Sequence, residues 1–151
     1  MKVKFKKEDI PKISGRLLNK IIKIKNKKAK VVALSGELGA GKTTLTQELG
    51  KILGIKEKII SPTYIIMKFY EIKPSSPYFS SFKKLIHIDA YRLDFHEELL
   101  KIGWKELSND KDNLIIIEWP EKVKKCLNND TCWVKLEHVD DQTRTFEFWY
   151  N

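Results

Sequence analysis

One glycine-rich segment constrains this chain more than any other feature. It consists of Gly36, Glu37, Leu38, Gly39, Ala40, Gly41, Lys42, Thr43 and Thr44. A short apolar run at residues 31–35 precedes it, and apolar residues at steps of three and four follow it. A strand, a glycine-rich turn and a helix in this order are the setting in which G-x-x-x-x-G-K-[ST] forms a P-loop. The sequence therefore predicts a nucleoside triphosphate site on this turn.

Each residue type in the segment has a chemical task. The glycines let the backbone turn tightly and aim successive N–H groups inward, where they and the next helix N-terminus surround phosphates. Lys42 brings a positive charge to the outer phosphates, and the Thr43 hydroxyl can coordinate Mg²⁺. Thr44 extends the polar first turn toward the inner phosphate.

The length of 151 residues suits one domain with a sizeable core. We interpret residues 1–151 as a single P-loop ATPase domain, with a lysine-rich N-terminal strand and helix at residues 1–30 packed on it. No apolar run approaches the ~20 residues that span a bilayer, and the first residues lack a signal-peptide core. We therefore expect a cytoplasmic protein without a membrane partner, whose Cys126 and Cys132 are reduced thiols.

The net charge of +9 is concentrated at the N-terminus, because residues 1–30 contain 12 basic and 2 acidic residues. This excess is compatible with a patch that faces RNA or another acidic partner. The simpler interpretation is the solvated face of an amphipathic helix, which apolar residues from Ile10 to Ile24 predict.

Apolar runs predict the central sheet. Residues 85–89 and 114–118 are apolar runs, interrupted only by His87, and each ends in a carboxylate, Asp89 or Glu118. Such runs are typical of buried parallel strands, whose carboxyl ends collect ligands. Strands are also predicted at 2–6 and 64–72, and residues 133–138 and 144–150 predict a terminal hairpin. Asp9 is expected to cap the N-terminal helix, and Asp94 to cap a helix that runs through Lys101. The expected fold is α/β: a three-layer P-loop NTPase-type domain with a mixed, mainly parallel sheet and a C-terminal β-hairpin.

Several polar residues outside the P-loop are candidate site residues. Asp89 has the position of a Walker B acid, and Glu118 should converge with it near the Mg²⁺. Thr63 is either a sensor of the γ-phosphate or a polar turn residue. Arg144 is a phosphate or ribose candidate, since a chain with only three arginines uses them selectively. Trp119 is either a core residue or a partner anchor.

A further residue near these candidates has a simpler interpretation. His87, on the strand that ends at Asp89, is more typical of a core histidine than of a catalytic base.

Four motifs, taken together and in order, resemble the TsaE (YjeE) family of bacterial P-loop ATPases. They are the P-loop, Ser61-Pro62-Thr63-Tyr64, His87-Ile88-Asp89-Ala90-Tyr91-Arg92-Leu93 and Glu118-Trp119-Pro120-Glu121. The resemblance implies ATP and Mg²⁺ as cofactors, slow hydrolysis by the protein alone, and action with the TsaD–TsaB pair. That pair transfers the threonylcarbamoyl group to tRNA, which this chain would reach only through the complex.

The resemblance also assigns residues. It implies Lys42, Asp89 and Glu118 as the catalytic set, with Mg²⁺ at Thr43, Asp89 and Glu118. The whole P-loop from Gly36 to Thr44 would bind the nucleotide together with Thr63. Trp119 is the family's aromatic residue after the second carboxylate, and Glu8 and Arg144 are implied as further nucleotide contacts.

Other classes of P-loop protein fit less well. A GTPase needs an N-K-x-D motif after a later strand, and none follows the P-loop. A small-molecule kinase needs a lid with several arginines, whereas only Arg92 and Arg144 follow the P-loop. The alternative that remains is a nucleotide-gated binding module, in which ATP orders residues 61–64 and turnover is incidental.

Overall fold

The computed structural model describes residues 2–150, which form seven strands and four α-helices. Their order is β1 (Lys2–Lys6), α1 (Ile10–Ile22), β2 (Lys30–Ser35), α2 (Lys42–Ile52), β3 (Met67–Glu71), β4 (Lys84–Asp89), α3 (His96–Lys101), α4 (Trp104–Asn109), β5 (Asn113–Glu118), β6 (Cys132–His138) and β7 (Thr143–Tyr150). Two 3₁₀ segments, Lys7–Asp9 and Pro120–Cys126, complete the regular structure.

All seven strands join one sheet in the order β1-β7-β6-β2-β5-β4-β3. The pairs β6–β2, β2–β5 and β5–β4 are parallel, whereas β1–β7, β7–β6 and β4–β3 are antiparallel. Five strands therefore run in one direction and only β3 and β7 run against them. The mixed, mainly parallel sheet and the C-terminal hairpin are confirmed, as is an N-terminal strand at residues 2–6.

Helices cover the two faces of the sheet. The helices α1 and α2 bury Leu17, Leu45 and Leu49 against one face, where Leu85, Leu114 and Ile116 project. On the other face, the residues that pack together come from α3, α4, the segment Pro120–Cys126 and the central strands: Leu99, Trp104, Val123, Ile86, Ile88, Ile115 and Ile117. Because both faces of β4 and β5 are covered, both strands carry apolar residues on both faces, namely Leu85, Ile86 and Ile88 on β4 and residues 114–117 on β5. The helices and the sheet thus form the three layers that the sequence predicts.

Two predicted element boundaries are wrong. The strand predicted from Tyr64 begins only at Met67, because Ile65 and Ile66 donate to the Pro62 carbonyl in a turn that places Ile66 at φ 68°. The helix predicted to begin at Asp94 begins at His96.

The late start of α3 has a clear cause. The Glu98 carboxylate reaches back from inside the first turn and accepts the backbone N–H groups of Asp94 and Phe95, so Asp94 is not needed as a cap. Asp9 precedes α1 as predicted, but its carboxylate accepts from the Lys6 N–H instead of capping that helix. Among residues 2–150, no helix combines the length and the apolar character that crossing a bilayer requires.

Candidate nucleotide-binding site

The P-loop adopts the conformation that its glycines permit. Gly36, Gly39 and Gly41 have φ values of 145°, 78° and 102°, and α2 begins at the next residue, Lys42. At Gly36 space adds a second restriction, since a Cβ atom would lie 2.4 Å from the backbone oxygen of Leu136 on β6. The turn therefore needs glycine for backbone freedom and, at its start, for close approach to the neighbouring strand.

Lys42 folds back over this turn. Its Nζ donates to the carbonyl oxygens of Gly36 at 2.6 Å and Glu37 at 2.9 Å, and lies 4.2 Å from the centroid of the Trp119 ring. The side chain is buried. Burial lowers the pKa of Lys42, and the nearby carboxylates of Glu118 and others oppose that shift. The ammonium is thus held at the centre of the loop, partly desolvated, where phosphate oxygens could replace the carbonyl acceptors.

The two predicted carboxylates meet beside this loop. Asp89 and Glu118 end adjacent parallel strands and are direct register partners. Both are 3% exposed. The Thr43 hydroxyl donates to Glu118 Oε1 at 2.9 Å, which joins the second carboxylate to the first turn of α2. Residues distant in sequence therefore converge because parallel neighbours end at the same edge of the sheet.

Asp89 is hydrogen-bonded to the segment 61–64, which contains the candidate γ-phosphate sensor Thr63. Its Oδ2 accepts from the hydroxyls of Thr63 at 2.7 Å and Ser61 at 3.2 Å, and its Oδ1 accepts from the Tyr91 N–H at 2.9 Å. Glu118 has a different buried partner, because His87 Nε2 lies 2.8 Å from Glu118 Oε1. One carboxylate is thus tied to a surface loop, and the other to the core and the P-loop.

These groups line a cavity of about 470 Å³. Its walls are Leu38, Gly39, Gly41, Lys42, Thr43, Thr44, Ser61, Thr63, Asp89, Tyr91, Glu118 and Trp119. Trp119 lies at φ 56°, a left-handed conformation that is rare for a bulky residue, and its ring packs 5.1 Å from that of Tyr91. The backbone at Trp119 thus departs from common geometry in order to place the ring over the site.

A smaller cavity of about 260 Å³ also borders the P-loop and shares Gly39, Gly41 and Thr44 with the larger one. Phe5, Ile10 and Leu136 give it apolar walls, and Lys7 and Arg144 add polar ones. Arg144 is buried in β7, the second strand from the edge, with Nη1 donating to the carbonyls of Asp140 at 2.5 Å and Thr143 at 2.9 Å. Glu8 lies on the 3₁₀ segment between β1 and α1 and is not among the residues that line either cavity.

The donor set fits Mg²⁺ held jointly with a nucleotide. Within residues 2–150, no group of three or more His, Cys, Asp or Glu side chains is arranged to hold a metal by itself. Two carboxylates and the Thr43 hydroxyl do converge, however. Mg²⁺ prefers oxygen ligands and is typically bound through one or two carboxylates together with substrate phosphates.

Sequence analysis does not identify three residues that contribute to the site. His87, interpreted as a core histidine, is buried but contacts Glu118. Ser61 and Tyr91 contact Asp89 and line the larger cavity. Strand alternation was a usable signal for His87, because residues two apart on β4 project to the same face as Asp89.

Comparisons with known proteins identify the family of this chain. A family model described as "Threonylcarbamoyl adenosine biosynthesis protein TsaE" matches residues 7–146. The chain is similar to a tRNA threonylcarbamoyladenosine biosynthesis protein TsaE of Haemophilus influenzae, with 36% identity over 80% of this chain and 71% of that protein. A protein of the same name from Streptomyces coelicolor is 33% identical over 85% of this chain and 80% of its own length.

Other relatives are longer. The TsaE protein of Rickettsia felis is 37% identical over 76% of this chain, and the match spans only 61% of that protein. A crystal structure of Bacillus subtilis YdiB has the same fold, with a TM-score of 0.67 at 23% identity over 98% of this chain and 84% of that one. Because the family model covers most of the sequence, the chain belongs to the TsaE family, whose members take part in the biosynthesis of threonylcarbamoyladenosine in tRNA.

Proposed function

We propose that this protein binds ATP with Mg²⁺ at the P-loop and hydrolyses it slowly, in support of tRNA threonylcarbamoyladenosine formation by a TsaD–TsaB pair. One observation carries the proposal. Asp89 and Glu118, from different strands, lie at one edge of the sheet, and Glu118 is hydrogen-bonded to Thr43 next to Lys42. A P-loop alone would indicate phosphate binding, whereas two buried carboxylates beside it are the groups that a metal and an attacking water require.

Each residue has a part in this reaction. The P-loop N–H groups and Lys42 bind and orient the phosphates, and Lys42 leaves its carbonyl partners to do so. The Thr43 hydroxyl and a carboxylate would hold Mg²⁺, which would supply positive charge to the phosphate oxygens. The other carboxylate accepts a hydrogen bond from the water that attacks the outer phosphate, and so orients it. The Trp119 ring shields this region from bulk solvent.

The smaller cavity is the proposed base site. Its apolar walls from Phe5, Ile10 and Leu136 suit a flat purine, and Lys7 and Arg144 supply polar contacts at its rim. Glu8 follows Lys7 on the same 3₁₀ segment, and we retain it as a proposed nucleotide contact.

Exposed side chains at the larger cavity support the proposal that a partner stimulates ATP hydrolysis. Leu38 and Tyr91, which line that cavity, are 90% and 54% exposed, and Tyr64, which follows the lining residue Thr63, is 88% exposed. Large apolar side chains grouped around one opening are typical of a surface that another protein covers. A partner seated there would exclude water and hold Trp119 in place, which is our reason for expecting weak turnover alone and faster turnover with TsaD and TsaB. Contact with tRNA would then be indirect, through the complex.

The test compares two single variants, Asp89→Ala and Glu118→Ala, with a matched control. Asp112→Ala makes the same change just before β5, at the opposite end of that strand from Glu118. ATP hydrolysis and tRNA modification are measured for each, with and without the two partners. We expect both activities to fall together in the site variants, while ATP still binds and the control stays normal. Hydrolysis that is unchanged in either site variant would refute the proposal.

The nucleotide-gated binding module is the second candidate, and one observation favours it. Asp89 holds Ser61 and Thr63, so a nucleotide that reorganises Asp89 would also move a surface loop that carries the exposed Tyr64. The same variants distinguish the two functions. If a variant without hydrolysis still supports repeated rounds of modification, the protein is a gate and its turnover is incidental.

A further inference from the structure

His87 occupies a costly position for a polar side chain. It is fully buried on β4, on the face of the sheet that also carries Asp89 and Glu118. Its Nε2 lies 2.8 Å from Glu118 Oε1, and its Nδ1 has no hydrogen-bond partner among residues 2–150. Because a carboxylate oxygen only accepts, Nε2 carries the hydrogen and donates it to Glu118.

We propose that His87 is the positioning residue of Glu118, a role that rests on the proposed function. Glu118 Oε1 accepts from both His87 and Thr43, so two donors fix one oxygen. The other oxygen, Oε2, makes no hydrogen bond to any residue that the structure describes, and Glu118 lines the larger cavity. His87 thus holds the carboxylate by its inner oxygen and leaves the outer one available at the nucleotide.

The free-energy cost of burying the His87 ring favours this role over that of a residue that only fills the core. An unpaired buried ring nitrogen costs free energy, and a leucine of similar size would fill the same space without that cost. The neighbouring core positions on this face, Leu85 and Ile116, are in fact aliphatic. His87 leaves Nδ1 unpaired while Nε2 donates a hydrogen bond to Glu118. Carboxylates that bind metals are typically oriented by such hydrogen-bond donors.

Thr43 alone would not hold Glu118 as firmly. Thr43 is also a proposed ligand of the metal, so its hydroxyl must serve two partners once the nucleotide binds. His87 projects from the neighbouring strand of the rigid sheet and keeps its hydrogen bond in both states. Removing its donor should therefore loosen Glu118 mainly when metal and nucleotide are present.

The experiment uses the full chain with a non-hydrolysable ATP analogue and Mn²⁺ as the probe metal. His87→Leu removes the donor, and His87→Gln keeps an N–H donor at similar reach. Electron paramagnetic resonance measures Mn²⁺ affinity, and binding of the analogue in EDTA measures metal-free affinity. A separate assay with ATP and Mg²⁺ measures kcat. We expect His87→Leu to weaken Mn²⁺ binding and lower kcat by roughly 10- to 100-fold. Metal-free affinity should stay unchanged, and His87→Gln should recover most of the loss.

Glu118→Ala is the reference that separates this inference from the proposed function. If Glu118→Ala leaves Mn²⁺ binding and hydrolysis unchanged, the proposed function itself is wrong. If Glu118→Ala loses both while His87→Leu matches the wild type, only the role of His87 is overturned.

A spectroscopic measurement on the unmodified protein covers the case in which the His87 variants fold poorly. Nitrogen NMR of histidine-labelled protein should show His87 with its hydrogen on Nε2. A hydrogen on Nδ1 would overturn the inference, because Nε2 could then not donate to Glu118.

Discussion

Replacing Lys42 with methionine should separate nucleotide binding from stability. Methionine has a similar length and is apolar, so Lys42→Met removes the ammonium and largely keeps the packing beneath Trp119. In the free protein the ammonium is buried, and burial lowers the pKa of Lys42 even though Glu118 and other carboxylates favour its charge. The surroundings therefore oppose the charged form, and its removal should not destabilise the fold.

The structure indicates the size of both effects. Lys42 donates two hydrogen bonds and lies 4.2 Å from the Trp119 ring centroid. Redirected to phosphates, even one charge-assisted hydrogen bond is worth about 1.5–3 kcal/mol, which is roughly 10- to 150-fold in Kd. With two donors available, we expect ATP affinity to fall at least about 100-fold. In the free protein, the contact between the ammonium and the Trp119 ring stabilises the charged form by about 0.5–2 kcal/mol. Desolvating one ion costs several kcal/mol, which is more than the ring contact contributes.

Calorimetry tests the expected loss of ATP affinity, and thermal unfolding of the free protein tests the expected effect on stability. We expect the unfolding temperature at neutral pH to stay equal or rise, by about 2–4 °C for each kcal/mol gained in a chain of this size. A lowered lysine pKa disfavours the folded state below that pKa. The advantage of methionine should therefore disappear as the pH rises to 10.5, the ordinary lysine value. Lys12→Met, on the exposed side of α1, is the control and should change neither quantity.

The reasoning would be refuted by a Lys42→Met protein that still binds ATP normally. It would equally be refuted by a loss of stability that persists at neutral pH, since the ammonium would then be a net stabilising group.

Two further predictions concern the fold. Gly36→Ala should lower the free energy of unfolding in urea by about 1–3 kcal/mol, because its Cβ would meet the Leu136 oxygen at 2.4 Å and its φ is 145°. Gly15 lies inside α1 with open space around it, so Gly15→Ala should instead raise the free energy of unfolding by about 0.5–1 kcal/mol. If both substitutions changed the free energy of unfolding equally, the close approach of Gly36 to Leu136 would be contradicted. The Glu98 hydrogen bonds to the Phe95 and Asp94 N–H groups lower the pKa of its carboxyl. Their stabilisation is present above pH 4.5 and is lost as the pH falls through the lowered pKa, so Glu98→Ala should flatten that part of a stability–pH curve.

Local patterns predicted most of the fold and part of the site. Apolar runs that end in Asp89 and Glu118 identified two buried parallel strands, because a strand covered on both faces has few polar positions. Errors occurred where a nearby residue, three or four positions along the chain, formed hydrogen bonds that the local pattern did not predict. At α3 the cap came from Glu98 instead of Asp94, and before β3 a turn held by the Pro62 carbonyl delayed the strand.

The sequence by itself determined the phosphate-binding turn, since three glycines, a lysine and a threonine at fixed spacing leave the backbone few other conformations. It also determined that the runs at 85–89 and 114–118 are buried strands, because they are mainly apolar. Only the tertiary structure decided that β4 and β5 are neighbours in the register that pairs Asp89 with Glu118 and brings His87 to the same carboxylate. The reason is physical: strand order and register depend on how α1 to α4 cover the whole sheet, and no single segment contains that information.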